Sequence, residues 1–359
     1  MRELPIPEVG PDDGLLRVDR CGVCGSDYRR FRRERNEDEA LSDRQDKRPL
    51  PAIMGHEIAG TIVALGREAA RTWGVREGER VFVESNVTCH RCRACMTGHY
   101  KACRESWSYG LSRGLDEPPH LWGGYAQYLY LHPRVLLHKL PKGVSAEEAV
   151  LATPISNGFQ WAYRTPDLRY GQSIVILGPG QQGLGCVAAA KAVGAGLIIV
   201  SGLRRDERRL ELARRLGADH VIVADEEPVV ARVRELTGGE MADVAVEVSG
   251  GASAQRDVID LVRRGGTITW AAGGGFAPTE LVMDRVTRRS ITIRGVLSHG
   301  YDEIDQALEL IGARTLPVRE MSTHTVTLRE PERAVLLAGN EIPGESAIHV
   351  SIDPWATAA

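Results

Sequence analysis

Hydrophobic residues follow two different patterns along the chain, and the change comes near residue 170. Before it, short apolar runs lie between glycine, proline and polar residues, which is typical of short strands. These runs are 81–83, 125–131 and 135–137. After it, apolar and β-branched runs alternate with helical stretches, at 173–177, 197–200, 220–223, 242–248, 266–272 and 291–296. Six strands separated by helices predict an α/β fold with a doubly wound parallel sheet.

The end of the chain has a mixed pattern. Residues 303–311 have the periodicity of a helix, 323–328 that of a strand, and after another helix 347–352 form a final apolar strand. Because domains usually hold roughly 100–200 residues, a chain of 359 residues is expected to form two.

The overall composition excludes several classes of protein. With 43% hydrophobic and 26% charged residues, the chain is neither disordered nor a coiled-coil rod. A net charge of −3 creates no field that would attract nucleic acid or an anionic membrane. The longest uncharged stretch, 170–190, contains a glycine-rich turn and cannot span a membrane, and residues 1–5 lack the apolar run of a signal peptide. We therefore expect a cytoplasmic protein with a small-molecule substrate.

The cysteines are unevenly distributed, and four of the seven lie within fifteen residues. These four are Cys89, Cys92, Cys95 and Cys103. In the cytoplasm clustered cysteines more often bind metal than form disulfides, and four thiolates complete the tetrahedral shell of a structural zinc ion. Free buried thiols or a redox pair are the alternatives. Of the remaining cysteines, Cys21 and Cys186 are expected to be packing thiols.

A glycine-rich turn follows the first strand of the predicted parallel sheet and precedes a helix. Its sequence is Gly178-Pro179-Gly180-Gln181-Gln182-Gly183. The three glycines of G-x-G-x-x-G permit a tight turn, close approach of the backbone to a pyrophosphate, and close packing of helix on strand. The helix N-terminus favours the anion. This context predicts a dinucleotide site, and the alternative is a purely structural turn.

The end of the second parallel strand bears on the choice between NAD and NADP. An acidic residue there would bind the ribose 2′-hydroxyl, whereas arginine would bind a 2′-phosphate. The chain has Arg204 and Arg205 at this point and no acidic residue until Asp206, which favours NADP. In the alternative, the arginines are solvated surface charges and Asp206 reaches the ribose.

Two short segments near the N-terminus contain further metal ligands. Cys24 follows Cys21 at the spacing of a C-x-x-C pair, and His56 and Glu57 are adjacent. A cysteine, a histidine and a carboxylate with one open position suit a catalytic zinc ion. From these residues alone, a redox pair and a surface dipeptide are equally acceptable interpretations.

Taken together, four signatures resemble those of the zinc-containing medium-chain alcohol dehydrogenase family, and especially its sorbitol and threonine dehydrogenase branch. In chain order they are Gly22-Val23-Cys24-Gly25-Ser26-Asp27, Gly55-His56-Glu57-Ile58-Ala59-Gly60, the four-cysteine segment and the glycine-rich turn. The resemblance implies a GroES-like catalytic domain at 1–155 and 298–359, with the structural zinc lobe at about 86–106. It implies a Rossmann domain inserted at 156–297, and a homodimer or homotetramer.

The resemblance also implies an activity and roles for individual residues. A catalytic zinc ion on Cys24 and His56, with Glu57 as a further ligand, would polarise the substrate oxygen, and Ser26 would relay the alcohol proton. Hydride would pass between a secondary alcohol carbon, in a polyol- or sugar-like substrate, and the nicotinamide of NAD or NADP. Further cofactor contacts are expected at Ser249, Gly273 and Leu297, and pocket-lining side chains at Asn157, Trp122 and Trp161.

The chain departs from the family pattern at two positions. Thr153 stands where the family usually has a third zinc ligand, and Arg29 stands where the proton relay commonly has a histidine. A guanidinium cannot accept a proton. Two alternative functions therefore stay open: a zinc-independent, NADPH-dependent reductase of a conjugated C=C bond, and a non-catalytic protein that senses a nucleotide or metal.

Overall fold

A computed structural model describes residues 2–32, 50–272 and 278–357 of the chain. The chain forms two compact units. The first comprises Met1–Leu151 and Ser322–Ala359, and the second comprises Ala152–Met321. The first unit is thus built from both ends of the sequence.

The strands of the described residues are numbered in chain order. They are β1 (Gly14–Gly22), β2 (Glu57–Leu65), β3 (Arg80–Val83), β4 (Asn86–Val87), β5 (Trp107–Ser108), β6 (Tyr128–Leu131), β7 (Leu137–Lys139), β8 (Ser173–Leu177), β9 (Leu197–Gly202), β10 (His220–Val223), β11 (Ala242–Glu247), β12 (Val262–Trp270), β13 (Thr292–Gly295), β14 (Ser322–Thr327) and β15 (His349–Asp353).

The helices are numbered in the same way. They are α1 (Gly25–Phe31), α2 (Arg67–Trp73), α3 (Arg93–Met96), α4 (Ala146–Ala149), α5 (Ala152–Gly158), α6 (Gln181–Ala192), α7 (Glu207–Leu216), α8 (Val229–Leu236), α9 (Ala252–Asp257), α10 (Met283–Arg288), α11 (Tyr301–Ala313) and α12 (Pro331–Ala338). Helix α5 continues into a π-helical turn, Phe159–Arg164, and 3₁₀ turns cover Tyr100–Ala102, Arg204–Asp206, Val258–Leu261 and Val318–Met321.

The first unit is built on a mixed sheet of order β14-β15-β1-β2-β3-β7, with β6 also paired to β1. Its apolar side chains, among them Leu16, Ile58 and Ile62, form a buried core. The register places Gly22 opposite Glu57 on one side and opposite Ser351 on the other. This pairing brings together segments that lie hundreds of residues apart in the sequence.

The second unit contains a six-stranded sheet of order β10-β9-β8-β11-β12-β13, and every neighbouring pair is parallel. Counted from β8, this is the 3-2-1-4-5-6 order of a dinucleotide-binding sheet. The predicted doubly wound parallel sheet is therefore confirmed. Buried branched side chains such as Val175, Ile199 and Ile268 fill its core.

The boundaries of the compact units differ from those expected from the sequence. The chain returns to the first unit at Ser322, whereas the expected return is at residue 298. The reason is that α11 packs against α5 within the second unit, where Trp161 Nε1 also donates to the Ser298 carbonyl at 2.9 Å. At the other boundary, α5 packs against α6, so the second unit begins at Ala152 rather than 156.

Among the described residues, no helix combines the length and the apolar character needed to cross a bilayer.

Candidate active site

Cys24, His56 and Glu57 lie together in the first unit, with one ligand atom from each residue within 4.8 Å of those of the others. Cys24 is the N-cap of α1, and the two other residues lie at the start of β2. Gly55 before them has φ +89°, and a Cβ there would lie 2.4 Å from the Tyr125 ring. Glycine is therefore required for the turn that carries His56 into this group.

Asp27 orients the histidine of this group. Its fully buried carboxylate lies with Oδ1 3.5 Å from His56 Nδ1, and Oδ2 accepts hydrogen bonds from the Cys24 backbone N–H and the Tyr125 hydroxyl, both at 3.1 Å. Burial alone would lower the pKa of His56, but the Asp27 carboxylate outweighs it and raises that pKa well above the usual value. Because Nδ1 faces the carboxylate, Nε2 is the nitrogen available to a metal, and Ser26 Oγ lies 3.3 Å from it.

Glu57 is fully buried, and His349 on β15 holds one of its oxygens. His349 Nε2 lies 3.3 Å from Glu57 Oε2, and both side chains are inaccessible to solvent. Glu57 Oε1 is buried without a hydrogen-bond partner among the described residues. A Cβ at Gly22 would lie 2.2 Å from Glu57 Oε2, so only glycine fits beside the pair. A buried carboxylate oxygen beside a thiol and an imidazole fits a bound cation such as zinc.

The four sequence-predicted cysteines also form one group, with their sulfur atoms all within 4.8 Å of one another. The Cys92 N–H donates to Cys89 Sγ at 3.3 Å. Hydrogen bonds, first of all from the Arg91 backbone, lower the pKa of Cys89 to about 6, while desolvation raises that of Cys103 to about 11. A sulfur already stabilised as a thiolate, among three further sulfurs, fits a closed tetrahedral zinc site.

The glycine-rich turn of the second unit lies between β8 and α6. Gly178 has φ +108°, and a Cβ at Gly183 would lie 1.8 Å from the Gly178 carbonyl oxygen. Gly180, the N-cap of α6, faces open space within 4 Å of its Cβ position and receives no side-chain cap. The first N–H groups of α6 are therefore available to an anion.

The two glutamines of the turn have different environments. The Gln182 amide oxygen accepts a hydrogen bond from Asn157 Nδ2 at 2.9 Å, so this side chain is directed into the unit. Gln181 Oε1 is buried and has no hydrogen-bond partner among the residues described.

The two arginines after β9 are also distinct. The Arg204 guanidinium forms an ion pair with Glu226, and its backbone N–H donates to Asp225 Oδ1 at 2.8 Å. Arg205 is exposed. It is therefore Arg205 whose charge is left for a ligand.

Asp206, the alternative ribose ligand, is already used within the fold. Its Oδ2 accepts from the Leu203 N–H at 3.1 Å, and its Oδ1 accepts from Arg209 at 3.1 Å. At the end of β9, a Cβ on Gly202 would lie 2.7 Å from Pro179 Cγ, so no acidic side chain fits there either. The geometry thus favours the arginine interpretation over the acidic one.

The expected cofactor-groove residues are partly described. Ser249 is exposed, and Glu247 at the end of β11 fixes its loop by accepting from the Ser249 N–H, the Ser249 hydroxyl and the Gly250 N–H at 2.6–3.0 Å. Leu297 is 73% exposed in the second unit. Gly273 lies outside the described residues.

Of the expected pocket-lining side chains, Trp122 packs in the core of the first unit, 5.2 Å from the Trp107 ring, and does not face a pocket there. Asn157 and Trp161 are also buried, within the second unit. Thr153 lies on α5 and its carbonyl accepts from the Ser156 hydroxyl at 2.9 Å.

Sequence reasoning missed Tyr125, Glu247 and His349. Each acts through a residue far away in the sequence or through a buried carboxylate, and the hydrophobic pattern carries no signal for such contacts.

Comparison with known proteins agrees with this geometry. Residues 10–142 match the family model for the alcohol dehydrogenase GroES-like domain, and 183–313 match that for zinc-binding dehydrogenase. The chain is 35% identical to a probable alcohol dehydrogenase of Mycobacterium tuberculosis, over 99% of this chain and 95% of the other. It is 32% identical to sorbitol dehydrogenase of Bacillus subtilis, over 92% and 88%. An alcohol dehydrogenase structure from Thermotoga maritima superposes with a TM-score of 0.84 at 25% identity, covering 98% of this chain and 94% of that one.

Proposed function

The chain belongs to the zinc-containing medium-chain alcohol dehydrogenase family, and on this basis we propose that it interconverts a secondary, polyol- or sugar-like alcohol and its carbonyl compound by hydride transfer. The observation that carries the proposal is the buried group of Cys24, His56 and Glu57, which leaves one carboxylate oxygen without a partner among the described residues. The polyol class is supported by the similarity to a sorbitol dehydrogenase.

Cys24 Sγ, His56 Nε2 and the Glu57 carboxylate would hold a catalytic zinc ion. Zinc bound there would supply a Lewis acid for the substrate oxygen. Asp27 keeps the His56 ring turned so that Nδ1 faces the carboxylate and the lone pair of Nε2 stays free. His349 holds the other side of the group by its contact with Glu57.

Ser26 would hold the substrate proton. Its hydroxyl lies in the first turn of α1, 3.3 Å from His56 Nε2, and a hydroxyl can accept one proton while it donates another. Arg29 lies on the same helix and cannot take the proton further. The next proton acceptor is therefore a group other than Arg29, or water.

The second unit would hold the dinucleotide. The N–H groups at the start of α6 bind the pyrophosphate, and Arg205 provides a cation for a 2′-phosphate, which favours NADP over NAD. The nicotinamide supplies the hydride acceptor or donor. In the first unit, the four-cysteine group would hold a second, structural zinc ion that closes its loop.

One observation favours a second candidate function. Thr153 is a poor zinc ligand at a position where the family usually provides a good one, so the fold could instead reduce a conjugated C=C bond with NADPH and without catalytic zinc. A non-catalytic sensor is the third candidate, and it would bind a dinucleotide without transferring hydride to any alcohol or carbonyl compound.

Zinc analysis combined with a substrate panel tests these proposals. The purified chain should contain two zinc ions and oxidise polyols or secondary alcohols with NADP or NAD. Cys24→Ala should lose one zinc ion and turnover, whereas the matched control Cys186→Ala, in the second unit, should keep both. Unchanged turnover in Cys24→Ala would exclude the zinc mechanism, and one zinc ion with reduction of a conjugated C=C bond would favour the second candidate.

We also expect a homodimer or homotetramer. Light scattering coupled to size-exclusion chromatography measures this directly, and a monomeric mass at micromolar concentration would contradict it.

A further inference from the structure

A chain of three hydrogen-bonded side chains runs through the second unit, and we propose that it positions the nicotinamide half of the cofactor relative to the pyrophosphate half. The chain consists of Gln182, Asn157 and His299, and we refer to it as the amide chain. The inference rests on the proposed dinucleotide binding, and it assigns to Asn157 and His299 a positioning role for the reaction.

The amide chain has defined geometry. His299 Nδ1 lies 2.9 Å from Asn157 Oδ1, and Asn157 Nδ2 donates to Gln182 Oε1 at 2.9 Å. Because an amide oxygen accepts, the ring nitrogen Nδ1 of His299 donates in this arrangement. Both groups of the Asn157 amide are thus used, one toward each neighbour.

The two ends of the amide chain lie at two functional places. Gln182 is in the first turn of α6, directly after the glycine-rich turn that would bind the pyrophosphate. His299 follows β13, the last strand of the parallel sheet, on the side of the sheet opposite to β9 and β10. In a doubly wound sheet of this order, the two halves of a dinucleotide lie across the carboxyl ends of the two groups of strands. The amide chain therefore connects the pyrophosphate turn to the nicotinamide side.

The segment before His299 is held by a second contact. Ser298 has φ +62°, a left-handed conformation that is uncommon for a residue other than glycine, and its carbonyl accepts from Trp161 Nε1 at 2.9 Å. Leu297, the expected nicotinamide neighbour, is 73% exposed although the two residues that follow are fixed. An exposed apolar side chain on a fixed backbone is suited to contact a ligand ring.

The burial of the amide chain argues for a purpose beyond packing. Asn157 and His299 are both less than 9% exposed, and burying polar groups gives no advantage over apolar ones unless their positions matter. Apolar side chains of similar volume would fill the same space between α5 and α6. Directional hydrogen bonds fix the distance between the ends, which apolar packing does not do as strictly.

Binding measurements with two pairs of ligands test the inference. NADPH and 2′-phospho-ADP-ribose differ by the nicotinamide riboside portion, as do NADH and ADP-ribose. Asn157→Leu and His299→Leu should weaken NADPH or NADH about tenfold relative to the matching ligand without nicotinamide, since each leaves a buried partner unsatisfied. His299→Asn, whose Nδ2 can replace the ring Nδ1, should restore most of the ratio.

Gln160→Leu is the matched control, because Gln160 also makes a buried-side amide hydrogen bond in the same unit, to Thr165 Oγ1 at 2.9 Å. It should leave the ratio of the two dissociation constants unchanged. Equal weakening of both ligands in Asn157→Leu and His299→Leu, or no weakening, would overturn the inference while the proposed function stands. If the wild-type chain binds neither dinucleotide, the proposed function and the inference fail together.

Discussion

The choice of cofactor leads to a prediction about one exposed arginine. Arg205 is exposed, whereas the guanidinium of Arg204 is already paired with Glu226. We therefore expect Arg205→Ala to weaken the use of NADP(H) more than Arg204→Ala does. Neither change should alter the use of NAD(H) by as much, because NAD carries no 2′-phosphate.

The size of the effect follows from the exposure of Arg205. A hydrogen bond to a charged group contributes about 1.5–3 kcal/mol, but an exposed ion pair in water contributes only about 0–1 kcal/mol. A partly desolvated arginine–phosphate contact at the surface should lie between these values, near 1.4 kcal/mol, which is about tenfold in KM for NADP(H). For Arg204→Ala the expected change is about threefold or less, since removing it also releases Glu226 from its ion pair.

Steady-state kinetics with both cofactors at fixed alcohol concentration provide the assay, repeated at low and at high salt. Salt screens exposed charges over about 10 Å at 0.1 M ionic strength, so the NADP(H) preference should diminish at high salt in the wild type and stay small in Arg205→Ala. An increase in KM that is the same for NADP(H) and NAD(H) would refute the phosphate role of Arg205. Free Asp206 activity toward the ribose is not expected, because both of its oxygens accept hydrogen bonds.

Three further predictions concern metal binding and stability. Tyr125→Phe removes the hydroxyl that donates to Asp27 at 3.1 Å and should lower zinc affinity about tenfold in a chelator competition, while Tyr130→Phe, whose hydroxyl donates to another aspartate, should leave it unchanged; equal affinities would contradict this. Chelation of the four-cysteine zinc should lower Tm by roughly 10 °C, measured by calorimetry, and an unchanged Tm would exclude a structural role. Partial burial alone raises the pKa of Asp243, but hydrogen bonds from Ser173 and a neighbouring guanidinium lower it overall, so its stabilisation is complete above about pH 4 and is lost as the pH falls through the folded-state pKa; Asp243→Asn should therefore be less stable in urea at pH 7, with a difference that disappears in acid.

The sequence was sufficient for the parallel sheet, because its strands are buried on both faces and are therefore continuous apolar runs such as 173–177. The first unit is harder to predict. Strand β1 carries Arg17, Asp19 and Arg20, which interrupt the apolar alternation, and the sequence analysis did not include it. In the fold these charges are paired: Arg17 with Asp19 at 2.8 Å, and Arg20 with Asp353 at 2.5 Å. The pairing partner on β15 is visible only after the chain ends have met.

The metal ligands and the residues that orient them differ in how far they can be predicted. Cys24, His56 and Glu57 were identified because ligand side chains stand in short segments with recognisable spacing. Tyr125 and His349 were not, since a tyrosine or histidine on a strand has no pattern that names its distant partner. His349 contacts Glu57 only because β15 and β2 flank the same strand, β1, with Gly22 between them.

The arrangement of the first unit bears on the loss of a metal ligand at Thr153. A catalytic zinc site needs three protein ligands and one open position, and the three proposed ligands all belong to the first unit. The proposed site therefore has the required number without position 153. Its two buried ligands that could otherwise rotate are each held by a second residue, His56 by Asp27 and Glu57 by His349. Substitution at Thr153 should consequently change metal affinity less than substitution at His349, because only His349 fixes a proposed ligand.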